Sequence, residues 1–237
     1  MASAFIYDKY VTGKNFIGRK MDCTILSNLL EAGENVYLYG PPESGKMSLV
    51  QQSLFNMRMM GRQFVVGQLD LFNVRRTEDF LLRFGAAVIR SCASVPEEYA
   101  DMVARYLSGS HFVFDPMRFS TCGEIVSLNW SLDRNDMVMM LTLPQRISQD
   151  RNQPCYMVLS HSGKLQGATK IGQGSLRRDL CAQCIQHRIQ NFQSQAQEQL
   201  IRLGSARIDL LQTLIIIVKF FGQKRTYGTG GMLRTDL

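Results

Sequence analysis

Residues 35–48 read Asn35-Val-Tyr-Leu-Tyr-Gly40-Pro-Pro-Glu-Ser-Gly45-Lys46-Met-Ser48, and this stretch decides the fold. The β-branched and aromatic side chains before Gly40 are typical of a short buried strand. From Lys46 to Met60 the pattern is that of a helix, and the glycines between the two segments mark a loop. The stretch therefore predicts a strand, a glycine loop and a helix in succession.

The loop fits the spacing G-x-x-x-x-G-K of a phosphate-binding P-loop. Its backbone N–H groups can surround a β-phosphate, because glycine permits backbone angles and a close approach that other residues resist. The following helix presents its positive end to the same anion, and the lysine would neutralise charge on the β- and γ-phosphates. We expect a nucleoside triphosphate, and specifically ATP, to contact Gly40, Pro41, Pro42, Glu43, Ser44, Gly45, Lys46, Met47 and Ser48. The alternative is a glycine turn that binds nothing.

The residue after the lysine departs from the motif. A Ser or Thr hydroxyl normally ligates Mg²⁺ there, whereas this chain has Met47, with Ser48 one place later. One residue turns a helix by roughly 100°, so Ser48 does not simply replace the missing hydroxyl. We expect ATP and Mg²⁺ as ligands, with Ser48 as a candidate for the metal.

Outward from this unit, strand and helix patterns alternate along the chain. The further strand candidates are residues 63–71 and 154–159, and helical spacing covers residues 20–31, 77–93, 96–107 and 136–151. Pro144 should kink or divide the last of these helices. Alternation of this kind implies parallel pairing through crossover helices. The predicted fold is α/β: a P-loop NTPase-type parallel sheet flanked by helices, incomplete, with an ill-defined C-terminal region.

A second segment, Asn15-Phe16-Ile17-Gly18-Arg19-Lys20, stands just upstream of the first helix. Together with the P-loop, it resembles the AAA+/STAND-type P-loop ATPases, including the bacterial ATP-binding proteins similar to archaeal ATPases. The resemblance covers about residues 5–159. It implies ATP hydrolysis as the family activity, and it implies that Phe16, Ile17 and Gly18 help to form the wall of an adenine pocket.

The same family has a hydrophobic strand that ends in Asp-Glu, where the Asp positions Mg²⁺ and the Glu polarises water. The natural place is after residues 155–159, but Ser160-His161-Ser162 follows there. Asp70 is the strand-terminal acid nearby, and we take it as a candidate metal ligand against the alternative of an ordinary strand-end residue. Two other functions therefore stay open: a nucleotide-binding module without turnover, and a truncated remnant without a working site.

The net charge of +7 is unevenly distributed along the chain. Acidic and basic residues balance over residues 1–159, and the whole excess falls in residues 160–237, where glutamine also becomes abundant. We therefore place a P-loop ATPase-like domain at 1–159 and a Gln-rich basic tail region at 160–237. Helices can be drawn over 180–203 and 208–221. Since the family motifs stop at this break, we take the tail as aberrant (for example frame-shifted), replaced or disordered.

Cysteine and histidine residues suggest two other kinds of site. Cys181, Cys184 and His187 have the spacing C-x₂-C-x₂-H, and Cys155 or His161 could complete a tetrahedral zinc site. Cys155 and His161 also form a candidate nucleophile–base pair, although no nearby acid would orient the histidine. Incidental reduced thiols are the simpler interpretation of both patterns.

The sequence also predicts the cellular location of the protein and the kinds of partner that it binds. The start of the chain does not resemble a signal peptide, and the longest apolar stretch is broken by Gln212 and Lys219, so we expect a cytoplasmic protein without a membrane contact. The basic tail could contact nucleic acid electrostatically, but its few aromatic residues argue against that partner. A nucleotide is the expected ligand, and a protein partner or self-association is the further expectation.

Overall fold

The computed structural model describes residues 10–38, 40, 43–161 and 215–220. Its helices are α1 (Lys20–Ala32), α2 (Lys46–Met59), α3 (Thr77–Arg90), α4 (Pro96–Tyr106), α5 (Pro116–Cys122), α6 (Arg134–Leu141) and α7 (Leu143–Arg151). Its strands are β1 (Val36–Leu38), β2 (Val65–Asp70), β3 (Phe112–Val113), β4 (Ser127–Leu128), β5 (Cys155–Ser160) and β6 (Ile215–Phe220). A short 3₁₀ turn, Gly13–Asn15, precedes α1.

Helices α1 to α4 confirm the helical spacing read from the sequence. Helix α1 ends at Gly33, whose left-handed φ of 88° directs its N–H to the carbonyls of Leu29 and Leu30. The segment 136–151 divides into α6 and α7, because Pro144 is tolerated only in the first turn of a new helix. Within the described segments, no helix combines the length and the apolar character that a membrane crossing requires.

The main sheet has the strand order β1–β6–β5–β2. Strands β2 and β5 are parallel, with Val65 opposite Cys155, whereas β6 is antiparallel to both β1 and β5. Consequently β1, β5 and β2 run in one direction, and their carboxyl ends lie at the same end of the sheet. The fold is mixed α/β, with a small parallel arrangement flanked by helices. The expectation of a parallel sheet is wrong for β6.

Strand β6 also corrects the prediction for the end of the chain. The apolar run over 208–221 predicts a helix, but Ile215–Phe220 form a strand between β1 and β5. Periodicity cannot distinguish a short apolar strand from a buried helical segment, and β-branched residues such as those at 215–218 favour the strand. Two strand partners and the complete burial of Ile217 decide the outcome. The helix drawn over 180–203 lies outside the described residues.

The core is organised by β5, which is buried on both faces. Side chains alternate along a strand, so Cys155, Met157 and Leu159 face one hydrophobic cluster, built largely from α3, α4, α6 and α7. Tyr156 and Val158 face a second cluster, built largely from α1 and α2. The sheet therefore has one helical layer on each side, and the glycine loop belongs to the α1–α2 side.

We expect Ile217→Ala to lower the free energy of unfolding by about 2–5 kcal/mol, because it leaves a cavity between β1 and β5. Ile17→Ala is the matched control, since it makes the same change at a side chain that is 90% exposed. There the expected loss is about 0.5 kcal/mol or less. Urea unfolding followed by circular dichroism measures both variants, and equally small losses would contradict the position of β6 inside the sheet.

Candidate functional site

The glycine loop joins the end of β1 to the start of α2. Gly45 is the N-cap of α2 with a φ of 73°, and Glu43 is also left-handed at a φ of 59°. Pro41 and Pro42 lie outside the described residues. The first backbone N–H groups of an α-helix have no acceptor within the helix, and the helix dipole makes this end positive. The loop therefore ends at a group of amides that suits an anion.

Lys46 folds back over the loop. Its Nζ donates to the carbonyl oxygen of Gly40 and to Oγ of Ser44, at 3.1 Å in each case. Partial burial, followed by repulsion from Arg19, lowers the pKa of the Lys46 ammonium. A bound anion would oppose both effects by favouring the charged form, so the electrostatics of this position suit a phosphate.

Arg19 connects the segment before α1 to the loop, and the sequence patterns missed this role. It is the N-cap of α1 with a left-handed φ of 51°. Its Nη1 donates to the carbonyl oxygen of Ser44 at 3.0 Å, and its Nε lies 2.7 Å from Oδ2 of Asp22. A cation at a helix N-terminus is electrostatically unfavourable, and that was the signal available in the sequence. Arg19 and Lys46 together place two cationic side chains against Ser44.

The three residues predicted to border adenine lie between the 3₁₀ turn and α1. Phe16 is half-buried against the α1–α2 cluster, whereas Ile17 is 90% exposed. Gly18 has a left-handed φ of 79°, which other residues adopt only with strain. The structure thus brings this segment next to the loop through Arg19 and leaves one apolar side chain of the segment open to solvent.

The side chains of the two residues after the loop lysine, Met47 and Ser48, contact other parts of the protein. Met47 is half-buried and packs against the α1–α2 cluster, which explains a methionine at this position. Oγ of Ser48 accepts the backbone N–H of Val11 at 3.1 Å, and Oε1 of Gln52 accepts that of Gly13 at 2.6 Å. These bonds hold the segment before α1 along α2. The hydroxyl predicted as a metal ligand therefore lies against this segment.

Asp70 meets His161 where β2 and β5 end side by side. Nδ1 of His161 lies 2.6 Å from Oδ1 of Asp70, which also accepts the N–H of Phe72 at 2.9 Å. Partial burial opposes ionisation, but hydrogen bonds from Phe72, His161 and Ser160 outweigh it and lower the pKa of Asp70. Since β6 and β5 separate β2 from β1, Asp70 lies about 14 Å from β1 across the sheet. Its carboxylate is bonded within the protein rather than turned to the loop.

Cys155 and His161 lie far apart. Cys155 is fully buried at the start of β5, and burial raises the pKa of its thiol to about 12. His161 follows the other end of the strand, about 20 Å away at the ordinary rise per residue. The nucleophile–base pair is therefore not formed. The remaining predicted zinc ligands lie outside the described residues: Cys181, Cys184 and His187.

A cluster that the sequence patterns did not reveal joins β3 to α6. Nδ1 of His111 lies 2.9 Å from Oδ2 of the buried Asp136, and the backbone N–H of His111 donates to Oδ1 at 2.8 Å. Asp133 and Asp136 cap α6 reciprocally, each side chain accepting the N–H of the other residue. Because both oxygens of Asp136 accept protein donors, the cluster links two elements of the fold. The Asp-x-x-Asp capping spacing was the signal present in the sequence.

Comparison with known proteins provides no relative for this arrangement. No family model matches the chain, and no similar curated protein or solved structure is found. The interpretation of the site therefore depends on the residues and the geometry described above.

We expect His111→Gln to destabilise the protein most at mildly acidic pH. The hydrogen bond that His111 donates to the Asp136 carboxylate raises the pKa of His111 above its ordinary value of 6.5 in the folded state. Protonated His111 therefore stabilises the fold fully below pH 6.5, and this contribution disappears as the pH rises through the raised pKa.

Melting temperatures of the wild type and the variant, measured from about pH 5 to pH 9, test this expectation. The difference in melting temperature between the two proteins should be largest near the acidic limit. It should shrink at the alkaline limit, where the side chain at position 111 is neutral in both proteins. A difference that does not change with pH would show that the charge of His111 contributes nothing.

Proposed function

We propose that this chain binds a nucleoside triphosphate, ATP in the first instance, at the loop between β1 and α2. The observation that carries the proposal is the convergence of positive groups on one short loop. The amino end of α2, the Lys46 ammonium and the Arg19 guanidinium all point to the region of Ser44. Three positive groups of this kind suit the adjacent charges of a polyphosphate.

The segment before α1 suits the other end of the ligand. Phe16 anchors this segment in the core, and Ile17 beside it remains exposed. Covering such a side chain with a base would remove apolar surface from water, which is favourable by about 25 cal/mol per Å². We therefore propose Phe16, Ile17 and Gly18 as the adenine side of the site, in line with the AAA+/STAND resemblance. Arg19 would couple the base side to the phosphate side.

The site offers fewer groups for Mg²⁺ than for the phosphates. Ser48 is the hydroxyl candidate for Mg²⁺, and its Oγ accepts a backbone N–H. One shared hydroxyl does not form an oxygen cage, so Mg²⁺ would be held mainly by phosphate oxygens and water. The side chains of this site would therefore contact the phosphates more than they would contact Mg²⁺.

Binding without turnover is the second candidate function, and one observation favours it over hydrolysis. Strand β5 ends in Ser160, followed by His161, where the family resemblance expects two carboxylates. Asp70, which lies opposite Ser160 in the sheet, bonds to His161 and to the N–H of Phe72. A carboxylate that orients water is a central part of triphosphate hydrolysis. We therefore propose slow or no turnover of the bound ATP.

We expect Lys46→Ala to weaken ATP binding about tenfold or more, which corresponds to about 1.4 kcal/mol, because it removes a cation from the phosphates. Lys20→Ala is the matched control, since Lys20 is an exposed lysine in the first turn of α1. Isothermal titration calorimetry with and without Mg²⁺ measures both. Unchanged binding in Lys46→Ala, or no binding by the folded wild type, would remove the proposal.

We also expect ATP to raise the melting temperature of the wild type without measurable release of phosphate. A ligand that binds only the folded state stabilises it, by about 2.7 kcal/mol at 100 times the dissociation constant. Phosphate release, followed with a coupled enzymatic assay, should not exceed the rate of Lys46→Ala. Faster release by the wild type would establish turnover, and absence of thermal stabilisation would favour the remnant without a site.

A further inference from the structure

Two hydrogen bonds hold the segment before α1 along the first turns of α2. Oγ of Ser48 accepts the backbone N–H of Val11 at 3.1 Å, and Thr12 after it is extended. Oε1 of Gln52 accepts the backbone N–H of Gly13 at 2.6 Å. The two spacings match, because four helical residues rise about 6 Å and two extended residues span about 6.6 Å. The chain therefore runs beside α2 in the same direction at this point.

The chain then turns back towards the glycine loop. The 3₁₀ turn Gly13–Asn15 makes this reversal. On the return, Phe16 packs against the α1–α2 cluster, and Nη1 of Arg19 reaches the carbonyl oxygen of Ser44 at 3.0 Å. The exposed Ile17 lies between these two contacts along the chain. The proposed adenine side of the site is thus held by the glycine loop at one end and by α2 at the other.

Gln52 has a fully determined orientation. It is 8% exposed, and its Nε2 donates to Oδ1 of Asn56 at 2.8 Å. Because the amide nitrogen is used in this way, the amide oxygen faces the N–H of Gly13. A buried amide is unfavourable unless its polar atoms are hydrogen-bonded, and both polar atoms of Gln52 are. Gln52 therefore fixes the position of Gly13 relative to α2.

We propose that Gln52 and Ser48 are positioning residues for the nucleoside part of the ligand. This inference rests on the proposed function, because it concerns the same site. With both bonds formed, residues 16–18 are already held beside the loop, so binding of the base does not have to order them. The phosphates would contact Lys46 and the amides of the loop, which do not depend on these two bonds. Ser48 therefore contributes to binding of the base rather than of Mg²⁺.

The first test compares ATP with inorganic tripolyphosphate, which has a chain of three phosphates without a nucleoside. Gln52→Met keeps the length of the side chain and removes the acceptor for Gly13. It should weaken ATP binding about threefold to tenfold, as loss of one hydrogen bond would, and tripolyphosphate binding less than about twofold. Gln51→Met is the matched control, since Gln51 bonds to Met47 within α2, and it should bind both ligands like the wild type. Isothermal titration calorimetry measures all of these dissociation constants.

The second test separates positioning from metal binding. Ser48→Ala removes the acceptor for the N–H of Val11, so it should weaken ATP binding and leave tripolyphosphate binding unchanged. The factor by which Mg²⁺ strengthens ATP binding should be the same as in the wild type. Equal weakening of both ligands, together with loss of the gain from Mg²⁺, would make Ser48 a metal ligand and overturn the role proposed for it.

Hydrogen exchange of the nucleotide-free proteins gives a readout that needs no ligand. Amide exchange over residues 10–19 should be faster in Gln52→Met and Ser48→Ala than in the wild type, and melting temperatures confirm that each variant is folded. Unchanged exchange there, or ATP binding at full strength in both variants, would overturn this inference alone. Failure of the proposed function looks different: the folded wild type would not bind ATP, or Lys46→Ala would bind it equally well. That result would remove this inference as well.

Discussion

The structure depends on the burial of β5 on both of its faces. Every side chain from Cys155 to Leu159 is buried, so apolar layers are needed above and below this strand. Helices α1 and α2 supply one layer, and the hydroxyl of Tyr156 donates to the carbonyl of Leu30 at 3.2 Å to fix it. Because the same two helices begin beside the glycine loop, the core of the protein also positions the candidate site.

Strand direction determines which groups gather at the site. Strands β1, β5 and β2 run the same way, so Gly40, His161 and Asp70 all lie at or just beyond carboxyl ends at one end of the sheet. Strand order then separates them, because β6 and β5 lie between β1 and β2. The cations of the loop come from the starts of α1 and α2 rather than from the strands. The glycine loop and the strand-end acid Asp70 therefore belong to different parts of the same sheet end.

Patterns within short stretches of sequence predicted the helices and strands that depend on interactions between neighbouring residues. The helix starting at Lys46, the division near Pro144 and the strand ending at Asp70 follow from spacing, proline geometry and β-branched content. The strand β6 could not be predicted, since an apolar run of this length fits a helix or a strand until its neighbours are known. The contacts of Arg19 with Ser44 and of His111 with Asp136 join distant positions, so a local signal marks one partner of each contact but does not identify the other.

The charges near the glycine loop differ from those beside strand β2. Two cations, Arg19 and Lys46, contact Ser44, which suits a small polyanion and disfavours a second copy of the same loop. The groove between β2, α3 and residues 122–126 is instead lined by charges of both signs, Asp79, Arg83, Arg90 and Glu124, so its charge favours no particular ligand. The loop lies with α1 and α2 on one face of the sheet, and α3 lies on the other. The candidate site and this groove therefore lie on opposite faces of the sheet.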